Sequence, residues 1–239
     1  MFLSKIHLLL FFQLMSCNKT ADIFPHTKTI QNQTRDYSAF NTEAKNFCKT
    51  NNFNENYYYL IDLSLHSGKN RFFIYDFENK KIRNENLVTH GSCDVNSPNL
   101  TKWKKAKFSN DDNSHCSSLG KYKIGERDYS SWGINIKYWL HGLEKTNQNA
   151  VKRVVVLHSW SKVSNEEIYP EFSPISWGCP AVSDDFMKIL DSELKFQKSL
   201  YYCGLYNKIR LWFYKKTKEK RIISLVFLSS ILWIAHFFC

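Results

Sequence analysis

The chain has 239 residues and a formal net charge of +11, a length that suits one domain of ordinary size with tails. Hydrophobic residues make up 43% and aromatics 16% while Gly and Pro are scarce, a mix that suits β-rich packing more than disorder. The positive balance calls for an anionic partner, but no zinc-finger spacing or Gly-rich phosphate loop accompanies it and most basic residues are scattered, so no nucleic acid is expected.

At the N-terminus Lys5 precedes an apolar run over residues 6–14, and Met15-Ser16-Cys17 follows. A basic start, a short apolar stretch and a small residue before a cut site make a secretory signal, too short to span a bilayer comfortably. Leu14-Met15-Ser16-Cys17 also resembles a bacterial lipobox, in which the Cys is lipidated and becomes the mature N-terminus. Residues 1–17 are therefore expected to be a signal peptide with Cys17 as the lipidation site, a plain cleaved signal or an uncleaved anchor being the alternatives. Residues 18–52 are polar and read as a tether ending in a short helical lead-in over 42–48.

From residue 57 the pattern becomes aromatic and β-branched. Two such runs, 57–65 and 71–77, flank the turn His66-Ser67-Gly68-Lys69-Asn70 and predict a β-hairpin. Residues 87–89 predict a further strand, 92–118 a long polar loop, and 121–124 and 133–139 short strands. Residues 144–151 predict a short helix or turn. Arg153 then leads into the apolar strand Val154-Val155-Val156-Leu157, which ends in His158. After a second loop comes the tight turn Ser176-Trp177-Gly178-Cys179-Pro180. Ser183 N-caps a helix with Asp184 and Asp185 in its first turn and Phe186, Ile189, Leu190 and Leu194 spaced to face the core. Residues 199–239 form a tail with a basic run over 215–221 and an apolar run over 222–239. That last run is near the minimum for a membrane span, yet an exported domain would leave its basic flank outside, and adsorption to an anionic membrane surface is the competing reading.

The chain has seven Cys, at 17, 48, 93, 116, 179, 203 and 239, and an odd count in an exported protein suggests one thiol with a special role. Cys179 is the best candidate nucleophile, because Gly178 lets the backbone turn sharply and Pro180 stiffens the exit. His158, at the end of a buried strand, is the matching base. On spacing alone His90, His115 and His141 compete as partners, Cys116 competes as nucleophile, and either residue could be structural. Whether Cys93 and Cys116 pair is open. No Cys-x-x-Cys or His-x-x-x-His spacing occurs, so no metal is expected.

Several motifs occur in order: Thr89-His90-Gly91-Ser92; Phe108-Ser109-Asn110; Ser117-Ser118-Leu119-Gly120-Lys121-Tyr122; Leu140-His141-Gly142-Leu143-Glu144 with Asn149-Ala150 and Arg153; the strand to His158; and Ser176-Trp177-Gly178-Cys179-Pro180-Ala181-Val182. Together they make the stretch from Tyr57 to Leu194 resemble the murein L,D-transpeptidase (YkuD-type) catalytic domain, in its catalytic domain-like branch. The resemblance implies a mainly β fold, an L,D-transpeptidase-like β-sandwich with a few short helices, over residues 53–198. It implies Cys179 and His158 side by side and attack on peptidoglycan stem peptides through a thioester on Cys179, resolved by a neighbouring amine. Hydrolysis of the same thioester, as a carboxypeptidase or amidase, is the alternative, and a non-catalytic wall-binding lipoprotein is another. By carry-over a backbone carbonyl near Ser159 orients His158, N–H groups of Gly178 and Cys179 hold the oxyanion, Ser176 supports the site, and Arg153 and His90 are candidates for binding substrate carboxylates. No cofactor is implied. The expected partners are stem peptides and a membrane, reached through the lipid anchor with the tail as a second contact, and the expected location is the cell envelope, facing the periplasm. One departure stands out: many transpeptidases carry Arg two residues after the nucleophile, where this chain has Ala181.

Overall fold

The computed structural model describes residues 35–93, 106–195 and 200–204. Cys17, the lipobox-like segment, residues 18–34 of the tether and the tail from 205 onward lie outside the described residues, whereas the rest of the stretch expected as tether is largely helical. The fold described below is that of the unit from Asp36 onward.

The sheet is organised on β1 (Tyr57–Asp62), whose six residues are all buried. Both of its faces are covered. Tyr57, Tyr59 and Ile61 enter the main core, and Tyr58 and Leu60 enter a second, smaller one. A continuous apolar run is what a two-sided strand requires. The smaller core is closed by α1 (Ser38–Asn51), which brings Phe40, Ala44 and Cys48 to one face at four-residue intervals. α1 stops at Asn52, which takes the left-handed conformation and returns its N–H to the Cys48 carbonyl.

The hairpin expected next is present as β2 (Phe72–Asp76), antiparallel to β1. β3 (Lys81–Asn86) pairs with β2, and the expected 87–89 strand is instead the irregular continuation of β3. β4 (Gly120–Tyr129) and β5 (Ile136–Gly142) form a second hairpin, longer than the short strands expected. Residues 144–151 are a turn. β6 (Val156–Ser159) starts late because Val154 has a positive φ of 56°, so His158 lies within the strand and not at its end. β7 (Ala181–Val182) runs parallel to β6.

α2 (Asp184–Leu194) has the cap read from sequence: Ser183 Oγ accepts from Phe186 N at 3.3 Å. Its buried residues are Phe186, Met187, Leu190 and Leu194. Ile189 is 39% exposed, so the buried stripe departs from the one expected, with Met187 taking the inward place.

β8 (Leu200–Gly204) corrects the expected domain end at residue 198. It lies between β1, to which it is parallel, and β4, to which it is antiparallel. The strand order is β3-β2-β1-β8-β4-β5-β6-β7. The folded unit therefore reaches beyond 53–198 at both ends, to α1 and to β8.

The two sheet edges meet. Thr89 N donates to Ala181 O at 3.0 Å, Ala181 N donates to Thr89 Oγ1 at 2.9 Å, and Gly91 bridges Ser176 in parallel. The continuation of β3 is thus bonded to the β7 side, and the sheet is nearly closed around the main core. The mainly β fold with few short helices expected from sequence is the fold observed. Among the described residues no helix is long and apolar enough to cross a membrane.

Candidate active site

Free thiols narrow the choice of nucleophile. Cys93 and Cys116 are joined as a disulfide, which removes Cys116 as a competitor. Cys48 and Cys203 are buried, and burial pushes the Cys48 thiol up to about 12. Among the described residues Cys179 is the one free thiol with partial exposure.

The turn that carries Cys179 is tied down from three sides. Ser176 N donates to His90 O at 2.9 Å and Ser92 N donates to Ser176 O at 2.8 Å. Ser176 Oγ donates to Cys179 O at 2.6 Å, and Thr89 Oγ1 donates to the same carbonyl at 3.0 Å. Gly178 has a φ of 109°, and a Cβ there would stand 2.7 Å from Cys116 O and 3.4 Å from Arg153 Nη2. Glycine is required both by conformation and by the close approach of the 109–118 loop.

His158 reaches the turn through sheet register. Ala181, two residues after Cys179, is the parallel partner of His158, and His158 N donates to Pro180 O at 3.4 Å. Val156, two residues before His158, donates its N–H to Cys179 Sγ at 3.5 Å, and the thiol faces Val154 O at 3.5 Å. A β-branched residue at positive φ is uncommon, and here that conformation belongs to the residue whose carbonyl faces the thiol. His158 Nδ1 lies 2.9 Å from Ser159 O, an acceptor only, so Nδ1 carries the proton and Nε2 is left with its lone pair. The carbonyl expected near Ser159 is Ser159's own.

Charge is held away from both groups. Burial lowers the His158 pKa below its ordinary value, against a smaller opposing effect of the Ser159 carbonyl. Burial raises the Cys179 thiol, while the Val156 N–H and the charges of Arg153 and Lys137 pull the other way without overcoming it. The two groups therefore rest as a neutral imidazole and a neutral thiol, protonation states suited to proton transfer during attack.

Three expectations about site residues change. The Gly178 N–H donates to Ser176 Oγ at 3.2 Å and is not directed at an oxyanion, whereas the Cys179 N–H meets no acceptor among the described residues. Arg153 is committed to the chain itself. Its Nη1 donates to Ser109 O at 3.0 Å, and its Nη2 donates to Ser114 Oγ at 3.2 Å and to Cys116 O at 2.5 Å. It fastens the 109–118 loop beside Gly178 and supplies positive charge near the thiol. His90 is 1% exposed with Nδ1 at 3.0 Å from Arg71 Nη2, so it braces the turn from behind instead of meeting a substrate carboxylate. Of the other histidines, His115 packs on Trp177 at 4.9 Å between ring centroids and His141 faces Glu126 at 3.1 Å. Ala181 is fully buried beside His158.

Three contributors escape sequence reasoning. Thr89 and Ser117, whose Oγ accepts from Gly91 N at 3.0 Å, lie inside the ordered motifs, but nothing local marks their hydroxyls as braces. Buried Arg71, which donates from Nη2 to Val88 O at 2.6 Å, looks from sequence like a strand residue beside a turn. Among the described residues no group of three or more His, Cys, Asp or Glu side chains is arranged to hold a metal.

Residues 31–203, more than half of the chain, match the L,D-transpeptidase catalytic domain family. No curated protein matches the chain. Among solved structures, the helical cell shape determining protein Pgp2 from Campylobacter jejuni is 13% identical with a TM-score of 0.38, over 67% of this chain and 55% of that one. Bd1075 from Bdellovibrio bacteriovorus is 14% identical with a TM-score of 0.40, over 71% and 58%. An L,D-transpeptidase from Xylanimonas cellulosilytica is 13% identical with a TM-score of 0.33, over 62% and 60%. The chain thus spans little more than half the length of these proteins, and the family is carried by the domain match.

Proposed function

This chain belongs to the L,D-transpeptidase catalytic domain family, and from that premise we propose that it is a peptidoglycan L,D-transpeptidase with Cys179 as nucleophile and His158 as base. Nε2 of His158 takes the thiol proton as Sγ attacks the carbonyl that precedes the terminal D-Ala of a tetrapeptide stem. The Cys179 N–H is the donor available to the oxyanion, and Arg153 with Lys137 favours negative charge at sulfur. Collapse breaks the C–N bond, the imidazolium returns its proton to the departing D-Ala amine, and a thioester remains on Cys179. An amine from a second stem, deprotonated by His158, attacks the thioester, forms the new amide and releases the thiol. The observation that carries this reading is a partly exposed free thiol on a braced turn, beside a strand whose His is held with Nδ1 donated to a backbone carbonyl.

The test is intact-mass spectrometry of the protein incubated with a disaccharide-tetrapeptide, with Cys179→Ala alongside. We expect D-Ala release and a crosslinked dimer in the wild type and neither in the variant. Release without dimer would replace transpeptidation by hydrolysis, and full activity of Cys179→Ala would remove the assignment. We further propose export to the cell envelope as a lipoprotein anchored through Cys17. Metabolic labelling with an alkyne fatty acid checks this, and label persisting in Cys17→Ala would refute it.

A further inference from the structure

We propose that Trp132 and Trp160 form a subsite for a pyranose ring of the substrate's own glycan strand, an inference that rests on the peptidoglycan reading of the active site. Trp132 is 54% exposed, and its ring meets that of Trp160 edge-on, with centroids 5.7 Å apart and planes at 76°. Together with half-buried Trp160 it presents a contiguous aromatic surface to solvent.

The rings are presented rigidly. Trp132 lies on the β4–β5 turn, where Ser130 N bonds Asn135 O at 3.1 Å, Asn135 Nδ2 bonds Ser130 O at 2.9 Å and Trp132 N bonds Ser130 Oγ at 3.1 Å. The turn is seated on the catalytic strand. Ile134 N donates to Ser159 Oγ at 2.9 Å, and a Cβ on Gly133 would run into Ser159. Ser159 is the residue whose carbonyl orients His158, and Trp160 follows it directly.

The chemistry of the corner fits a sugar better than an apolar side chain. Neither indole N–H donates to any described residue, while Trp139 Nε1 nearby is bonded to Asp128. Lys162 Nζ stands 5.7 Å from the Trp160 ring centroid. With Lys162 Nζ over one side of the Trp160 ring and the two indoles meeting edge to face, the exposed aromatic surface and its neighbouring donors match a ring with C–H bonds on its faces and hydroxyls at its edge. The reach also fits. The thiol lies beside Val156, four residues before Trp160, roughly 13 Å along a strand at ~3.3 Å per residue. Three extended stem residues span about 10 Å, and the link to the sugar adds a little more.

The test uses the full chain with two substrates, a disaccharide-tetrapeptide and the same tetrapeptide without sugar. In Trp132→Ala and Trp160→Ala we expect KM for the glycosylated substrate to rise about tenfold with kcat held and the bare peptide unaffected. Equal losses on both substrates, or no change on either, would overturn the subsite. A second readout does not need turnover: peptide-free glycan chains are titrated into wild-type and variant protein by calorimetry. Saturable heat in the wild type, lost in both variants, supports the subsite even if the transpeptidase reading fails. Absence of wild-type binding, or Trp-dependent binding to phosphatidylglycerol vesicles in place of glycan, would overturn it.

Discussion

Burial acts on Cys179 and His158 in opposite directions and leaves both uncharged. With the folded-state pKa of His158 below its ordinary 6.5, the base form persists into mildly acidic solution. We expect kcat/KM for D-Ala release to hold as pH falls through 6.5 and to decline only below it. An acid limb centred at or above 7 would contradict the neutral pair. The linkage has the same sign: the unfolded chain binds this proton more readily, so stability tied to neutral His158 is complete above the unfolded value and is lost as pH falls through the folded one. Gly178 is the second residue at which one atom decides. Gly178→Ala must accept a φ of 109° and press a Cβ on Cys116 O, at a cost of about 1–3 kcal/mol. Denaturant unfolding should show that loss together with greatly reduced acylation of Cys179. A variant of unchanged stability and rate would mean that the turn relaxes freely.

Among the elements, the short continuation of β3 matters more to the site than its lack of regular structure suggests. Thr89 uses one hydroxyl to receive Ala181 N and to donate to Cys179 O, so it both joins the sheet edges and holds the Cys179 carbonyl. Thr89→Val keeps the shape and removes both bonds, leaving a buried N–H unpaired at a cost of roughly 1–3 kcal/mol. Thermal denaturation should register the loss, with slower acylation of Cys179 at a temperature where the variant is still folded. Wild-type behaviour in both would show that the edges close without this residue. Helix and strand limits illustrate what a local pattern conveys. The Ser183 cap of α2 is legible because it is a contact between near neighbours, whereas the choice of Met187 over Ile189 as the inward residue depends on the sheet beneath. β6 is legible as an apolar run, but its late start is not, since the left-handed turn at Val154 is imposed on a residue that would not choose it.

The whole molecule depends on a strand whose sequence reads as part of a tail. β8 lies at the centre of the sheet and hydrogen-bonds to β1 on one side and β4 on the other. A chain ending at residue 198 should therefore not fold, and circular dichroism with limited proteolysis would show a loss of sheet and rapid cleavage. A protease-resistant, active truncation would overturn that placement. Composition and period alone lead to a mainly β chain, since aromatic and β-branched runs bounded by turns have few other outcomes. The Gly178-Cys179-Pro180 turn, the apolar strand to His158 and the ordered motifs are equally open to reading, because each is written in consecutive residues. The tertiary structure alone decided that Cys93 bonds Cys116, that Arg71 braces His90, that Arg153 holds a loop, and that the Gly178 N–H turns toward Ser176. Those outcomes join residues far apart in the chain or depend on which polar partner a buried group meets, and no local preference encodes them.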